Sequence, residues 1–77
     1  MKQKIKQDDI SIGANIRRLR KAQGFGQTEF AIKLQLMGVD MTRECLVKIE
    51  RGIQHIYATQ LRAIRDLLNT TYDELLK

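Results

Sequence analysis

Apolar residues recur along the chain at intervals of three and four positions, the spacing that places side chains on one face of an α-helix. Ile12, Ile16 and Leu19 follow this spacing, and so do apolar residues in three later segments and at the C-terminal end. The predicted helices run from about Ser11 to Gln23, Gln27 to Met37, Thr42 to Gly52, Thr59 to Leu68, and from Thr71 onward. The residues expected to face the core are Ile12, Ile16, Leu19, Phe30, Ala31, Leu34, Met37, Cys45, Leu46, Ile49, Leu61, Ile64, Leu67 and Leu68.

Residues that favour helix ends lie between these segments. Thr42 can accept a hydrogen bond from a free amide in the first turn of the third helix. Thr71 and Glu74 have the spacing of a capping box, which predicts the start of the last helix. Gly38 and Asn69 tolerate the left-handed conformation in which many helices end. Together these signals place the helix boundaries.

The composition supports an all-α fold. The chain has 77 residues and no proline, and it is rich in residues with good helix propensity. Its length is sufficient for one small domain. We therefore expect a compact five-helix bundle.

Basic residues are concentrated at the N-terminal end. The net charge is +5 and the sequence pI is about 9.7, which favours a polyanionic partner. Residues 1–22 hold seven basic and two acidic residues, an excess equal to that of the whole chain. The sequence predicts a flexible basic N-terminal arm at residues 1–10 and a folded domain at residues 11–77. A helix face that is merely solvated would explain the same charges.

Signatures of enzymes and metal sites are missing from the sequence. Cys45 is the single cysteine, and His55 is the single histidine, without a catalytic constellation around it. We expect no catalytic activity, no metal, no cofactor and no small-molecule ligand. The N-terminal residues lack the apolar core of a signal peptide, and no apolar run is long enough for a membrane span. We therefore expect no membrane association and a location in a reducing cytoplasm.

Three motifs together carry a resemblance to a known family. The stretch IGANIRRLRKAQGFGQTEFA, the segment LVKIERG and the closing LLNTTYDELL occur in this order between Ile12 and Leu76. In order and spacing they resemble the helix-turn-helix domains of the lambdoid phage repressor and Cro family, also called XRE. The resemblance implies a lambda-repressor-like DNA-binding domain, encoded by a bacterium, a phage or a mobile element and associated with the nucleoid.

The resemblance implies that the third helix reads double-stranded DNA in the major groove. Helical spacing places the core-facing residues Cys45, Leu46 and Ile49 on one side of this helix and a polar, partly basic face on the other. The N-terminal part of such a helix reaches base edges. The residues expected to contact bases are Arg43, Glu44, Val47 and Lys48. Arg43 or Lys48 would bond guanine, Glu44 would accept from cytosine, and Val47 would touch a thymine methyl. An ordinary solvated helix face is the alternative for each.

Other residues are expected to contact phosphates or to hold the fold. In the family, the glutamine that opens the second helix bonds the DNA backbone, and Gln27 occupies that position. The expected phosphate contacts are Gln27, Thr42, Arg17, Arg18, Lys21, Arg51, Gln54 and His55. The resemblance also implies a structural ion pair between Arg20 and Glu50.

Three positions depart from the family pattern. The interval from Gln27 to Glu50 is longer than usual, which predicts a second helix running to Met37 and a longer joint. In that joint Val39 or Met41 would fill the core. Gly26 replaces a common capping residue, and Arg65 replaces a small one.

The expected function is sequence-specific transcriptional regulation by a homodimer, as a repressor or Cro-like switch. One reading helix covers only a few base pairs, so two half-sites are needed for specificity. The expected interface residues are Tyr72, Leu75 and Leu76, although Leu75 would equally suit the monomer core. The alternative function is a helical protein-interaction module, such as an antitoxin-like or adaptor protein.

Overall fold

The structure is a computed structural model that describes residues 4–5 and 11–77. The described elements are β1 (Lys4–Ile5), α1 (Ile12–Ala22), α2 (Gln27–Leu36), α3 (Arg43–Glu50), β2 (Ile56–Tyr57), α4 (Ala58–Leu68) and α5 (Tyr72–Leu76). The five predicted helices are all present, each within one or two residues of its expected bounds. The all-α fold is therefore confirmed.

The helix ends follow the predicted capping residues. Thr42 Oγ1 accepts a hydrogen bond from the Cys45 amide at 3.0 Å, and Thr71 Oγ1 accepts one from the Glu74 amide at 3.2 Å. Asn69 ends α4 in the left-handed conformation, with φ of 53°. Each of these side chains or conformations satisfies polar groups that a helix terminus leaves without intrahelical partners.

One core is shared by all five helices. Its fully buried side chains include Ile12 and Ile16 of α1, Phe30 and Leu34 of α2, and Leu46 and Ile49 of α3, with Ile56, Ile64, Leu68 and Leu75 from the C-terminal half. Leu19, Cys45 and Leu67 are only partly buried against this cluster. The helical spacing thus selected the inward faces, but it did not distinguish full from partial burial.

Two expectations at apolar positions are wrong. Met37 was expected to face the core, yet its side chain is 45% exposed. It follows the last residue of α2, and Met41, which is 1% exposed, fills the core from the joint instead. Leu75 was expected at a dimer interface, but it is fully buried and therefore closes the core of a single copy.

A short antiparallel ladder was not predicted. The backbone of Lys4 pairs with Tyr57, and Ile5 pairs with Ile56. The predicted flexible arm thus includes two residues whose backbone is paired to the segment between α3 and α4. The other arm residues lie outside the described residues, so the arm stays a prediction for them.

Candidate nucleic-acid interface

The outward face of α3 carries the residues expected to contact bases. Arg43, Glu44 and Lys48 are exposed, and Val47 is half-buried. The opposite face, which includes Leu46 and Ile49, is buried in the core. The structure therefore brings the four predicted base contacts together on one accessible helix face.

The ion pair expected between Arg20 and Glu50 is present beneath this face. Arg20 Nε donates to Glu50 Oε2 at 2.7 Å, and Arg20 Nη2 donates to Glu50 Oε1 at 3.0 Å. The two side chains are only 7% and 2% exposed. Arg20 Nη1 also donates to the Phe25 carbonyl at 2.7 Å, and Gln27 Nε2 donates to Glu50 Oε1 at 3.2 Å. These bonds tie α1 and the start of α2 to the end of α3.

Basic residues border a groove between α1, α2 and α3. Arg17, Gln27 and Arg51 line this groove together with Val47 and Glu50. A second depression, also bordered by Arg17 and Glu50, is lined by Ala14, Arg18 and Lys21 as well. Five of the predicted phosphate contacts, namely Arg17, Arg18, Lys21, Gln27 and Arg51, thus lie along one concave surface beside the outward face of α3.

The start of α2 presents amides without a side-chain cap. Gly26 occupies the N-cap position and has no side chain to accept their hydrogen bonds. The first-turn amides of a helix and its dipole favour an anion when no side chain caps them. Because Gly26 replaces the usual capping residue, the first-turn amides of α2 have no side-chain acceptor, and these amides lie directly beside Gln27.

Several of the predicted phosphate contacts also have partners within the fold. Gln54 Nε2 donates to Cys45 Sγ at 2.8 Å, which holds the loop after α3 against that helix. Arg18 Nη2 lies 3.6 Å from Glu74 Oε2, so part of its charge is balanced by α5. His55 is exposed in the same loop as Gln54, and Thr42 caps α3.

Two exposed apolar side chains lie on α5. Tyr72 is 37% exposed and Leu76 is 36% exposed. The Arg65 guanidinium lies 4.5 Å from the centre of the Tyr72 ring. Arg65, which stands where the family usually has a small residue, therefore stacks on Tyr72 at the surface.

Two charged groups near α5 have shifted pKa values. A hydrogen bond to Asp66 raises the pKa of the Arg65 guanidinium, and a hydrogen bond from Lys77 lowers the pKa of the Glu74 carboxyl group.

Gly13 is a positioning residue that the sequence did not reveal. A Cβ atom built there would overlap the Ile49 carbonyl oxygen and meet the Glu50 carbonyl. The first turn of α1 therefore lies directly against the end of α3. Helical spacing gave no signal for this contact, because it depends on the approach of two backbones.

The described residues show neither a metal-binding cluster nor a membrane-spanning helix. Among residues 4–5 and 11–77, no group of three or more His, Cys, Asp or Glu side chains is arranged to hold a metal ion. In the same part of the chain, no helix combines the length and apolar character needed to cross a membrane.

Comparison with known proteins identified a similar fold. Neither a protein-family model nor a curated protein matches the sequence. A solved structure, the DNA-binding domain of BldD, is similar to this chain with a TM-score of 0.74. The similarity covers 95% of this chain and 99% of that domain at 22% sequence identity. At this identity the similarity establishes the shared fold.

Proposed function

We propose that this domain binds double-stranded DNA sequence-specifically and regulates transcription, as a repressor or Cro-like switch. The observation that carries the proposal is the exposed face of α3 beside a basic groove. Arg43, Glu44 and Lys48 are accessible there, and Arg17 and Arg51 border the adjoining surface. The similarity to the fold of a DNA-binding domain supports the same function.

In this proposal α3 enters the major groove and its first turn meets the bases. An α-helix with its side chains is about 10–12 Å in diameter, which fits the major-groove width of about 12 Å. Arg43 and Lys48 would each donate to guanine, Glu44 would accept from the cytosine amino group, and Val47 would contact a thymine methyl. These four residues would provide sequence preference.

Phosphate contacts would fix the orientation of the domain on the duplex. Arg17, Lys21 and Arg51 are exposed cations along the groove. The uncapped amides at the start of α2, with Gln27, would bind a phosphate between them. Thr42, Arg18, Gln54 and His55 would add contacts at the margins. Such contacts carry affinity but little sequence information.

Two copies would be needed to cover an operator. The Cα atoms of one copy extend over at most 28 Å, whereas half-sites one helical turn apart are separated by about 34 Å. One copy therefore reaches a single groove segment. We assign the interface to Tyr72 and Leu76, without the buried Leu75.

The test is selection of binding sites from a pool of random duplexes, followed by binding measurements at several salt concentrations. We expect an enriched sequence for the wild-type domain. Arg43→Ala should relax the preference at one base position, by a factor corresponding to about 1–3 kcal/mol. Arg17→Ala should instead weaken binding to all duplexes alike. It should also reduce the slope of the log binding constant against the log salt concentration by about one.

Arg62→Ala is the matched control for these variants. Arg62 is exposed on α4 and has no assigned contact with DNA, so its removal tests the general effect of losing one positive charge. We expect it to change neither the base preference nor the salt slope. Failure of the wild-type domain to enrich any sequence at moderate salt would exclude sequence-specific regulation.

A second candidate function rests on the outward face of α2. Ile32 and Leu36, one helical turn apart on α2, are 50% and 82% exposed, and Met37, directly after the helix, is 45% exposed. A protein-interaction module of the antitoxin or adaptor type would use such a face for a partner protein. An undetectable duplex preference in the selection would favour this function.

A further inference from the structure

The joint between α2 and α3, residues 37–42, is held in a defined conformation by several contacts. Gly38 adopts φ of +86°, a conformation that a residue with a side chain rarely takes. The Val39 amide then donates to the Leu34 carbonyl at 3.1 Å. Two residues further on, the Met41 side chain is buried in the core.

Two glutamine side chains bond successive carbonyls of this joint. Gln60 Nε2 donates to the Asp40 carbonyl at 3.2 Å, and Gln35 Nε2 donates to the Met41 carbonyl at 2.6 Å. Thr42, the next residue, caps α3. The chain is thus tied to α4 and α2 immediately before α3 begins.

Gln60 is itself fixed on both sides of its amide group. Its oxygen accepts a hydrogen bond from the Tyr57 amide at 2.9 Å, at the start of α4. The residue is only 7% exposed. Because its oxygen is bonded to Tyr57, its nitrogen is directed to the Asp40 carbonyl, and the side chain has little freedom to turn away.

The two ends of α3 are therefore held by separate polar contacts. Glu50 is bonded to Arg20 at the C-terminal end, whereas Gln35 and Gln60 act at the N-terminal end. Loss of the glutamine contacts would change the support of the N-terminal end while the other end stays attached to α1. The N-terminal end carries Arg43 and Glu44.

We infer that Gln35 and Gln60 are positioning residues that set the orientation of α3 and, through it, the bases that Arg43 and Glu44 reach. The inference about the orientation of α3 is based on the hydrogen bonds alone. Its link to base recognition rests on the proposed function. Neither side chain needs to touch DNA. The carbonyls of Asp40 and Met41 lie outside helices, and the two glutamines supply their hydrogen-bond donors.

The first test compares Gln35→Met with Gln23→Met. Methionine keeps an unbranched side chain of similar length and removes the donor. Gln23 Nε2 donates to the Leu68 carbonyl at 2.7 Å, so Gln23→Met removes a bond of the same kind that involves neither α3 nor the joint. Residual dipolar couplings of backbone amides should show a changed orientation of α3 relative to α1 and α4 in Gln35→Met alone.

The second test compares Gln60→Glu with Thr59→Glu. A glutamate at position 60 keeps the oxygen that accepts from Tyr57 but replaces the donor with a second oxygen facing the Asp40 carbonyl. Thr59 is exposed and lines a depression together with Gly38 and Asp40, so Thr59→Glu brings the same negative charge to the joint and leaves the Gln60 donor in place. We expect the couplings of residues 43–50 to change in Gln60→Glu and to stay unchanged in Thr59→Glu.

Site selection supplies the second readout. In the two joint variants we expect the preference at bases read by Arg43 and Glu44 to fall by a factor of about 3 to 10, the equivalent of one hydrogen bond. Affinity for random duplexes should stay within about twofold, since the phosphate contacts remain. Lower stability alone would change neither the couplings of the folded domain nor its base preference.

The outcomes separate this inference from the proposed function. Unchanged α3 couplings in both joint variants would overturn the inference while leaving an enriched wild-type sequence intact. Changed couplings together with an unchanged base preference would show that the orientation of α3 does not determine base recognition by Arg43 and Glu44. If the wild-type domain enriches no sequence, the proposed function fails, and the couplings still decide whether the two glutamines orient α3.

Discussion

Arg20 and Glu50 are buried opposite charges whose polar atoms are satisfied within the fold. Removal of two charges from water costs hydration free energy. Their mutual attraction offsets this cost only when the pair is well aligned and the remaining polar atoms are hydrogen-bonded. Here the guanidinium bonds both carboxylate oxygens, and the Phe25 carbonyl and the Gln27 amide supply further partners. In the described part of the chain, no buried side-chain polar atom is left without a partner. The pair therefore fixes how α1, α2 and α3 meet.

Removal of one member of this pair should be strongly destabilising. Arg20→Met would leave the Glu50 carboxylate buried without its counter-charge, and we expect the free energy of unfolding to fall by about 3–5 kcal/mol. Replacing both residues with methionine should cost less, because no charge remains buried. Urea denaturation followed by circular dichroism measures both effects.

The exposed pair between Arg18 and Glu74 provides the control for this prediction. Their side chains are 50% and 46% exposed and the closest charged atoms are 3.6 Å apart. Arg18→Met should change the free energy of unfolding by less than about 1 kcal/mol. A loss in Arg20→Met as small as that in Arg18→Met would contradict a structural role for the buried pair.

Helices and their caps were predictable because their signals are local. The spacing of Leu46 and Ile49 depends on a single helical turn, and the cap at Thr42 depends on an amide three residues away. The burial of Met41 in place of Met37 was only partly predictable, because the path of the joint depends on how α2 and α3 pack. The pairing of β1 with β2 joins segments about fifty residues apart, and two-residue strands carry no periodic signal.

The candidate interface was predictable to a similar degree. The resemblance and helical spacing together grouped Arg43, Glu44, Val47 and Lys48, and all four lie on the accessible side of α3. The contacts of Gln35 and Gln60 with the joint were not predictable. A glutamine in a helix usually faces solvent, and only the tertiary structure brings these two to the carbonyls of Asp40 and Met41.

The close packing of α1 on α3 can be tested by substitution of Gly13. Gly13→Ala would place a methyl group against the carbonyls of Ile49 and Glu50, where backbone atoms have little room to move. We expect a loss of about 1–3 kcal/mol in the free energy of unfolding. Gly26→Ala is the matched control, because its added Cβ meets nothing within 4 Å and its φ is −75°. Equal thermal stability of the two variants would show that α1 and α3 are not in close contact.

Helix α1 connects the candidate interface with the C-terminal end of the domain. Both α3 and α5 pack on α1, and Asn15 of α1 donates to the carbonyls of Leu75 and Lys77 at 2.9 and 3.0 Å. A contact between two copies through α5 would therefore hold their α3 helices at a fixed separation. That separation is what a duplex with two half-sites requires. The burial of Leu75 strengthens this connection, because it anchors α5 to the core.

The two exposed apolar surfaces can be distinguished by the same substitution at each. Leu76→Glu places a charge on α5 beside Tyr72, whereas Leu36→Glu places one on the outward face of α2. Burying an unpaired carboxylate in an interface is costly. If the domain forms the proposed dimer through α5, Leu76→Glu alone should yield monomers in sedimentation equilibrium. Its binding to a palindromic duplex should weaken much more than its binding to a single half-site.

The opposite pattern would assign association to α2. Because Leu36 is 82% exposed and Leu76 is 36% exposed, neither substitution removes a buried core side chain, and loss of folding would not mimic loss of association. A monomeric Leu36→Glu variant with a dimeric Leu76→Glu variant would contradict the interface on α5. It would also argue against the protein-interaction module, because a face on α2 that is used for self-association is not available to a different protein partner.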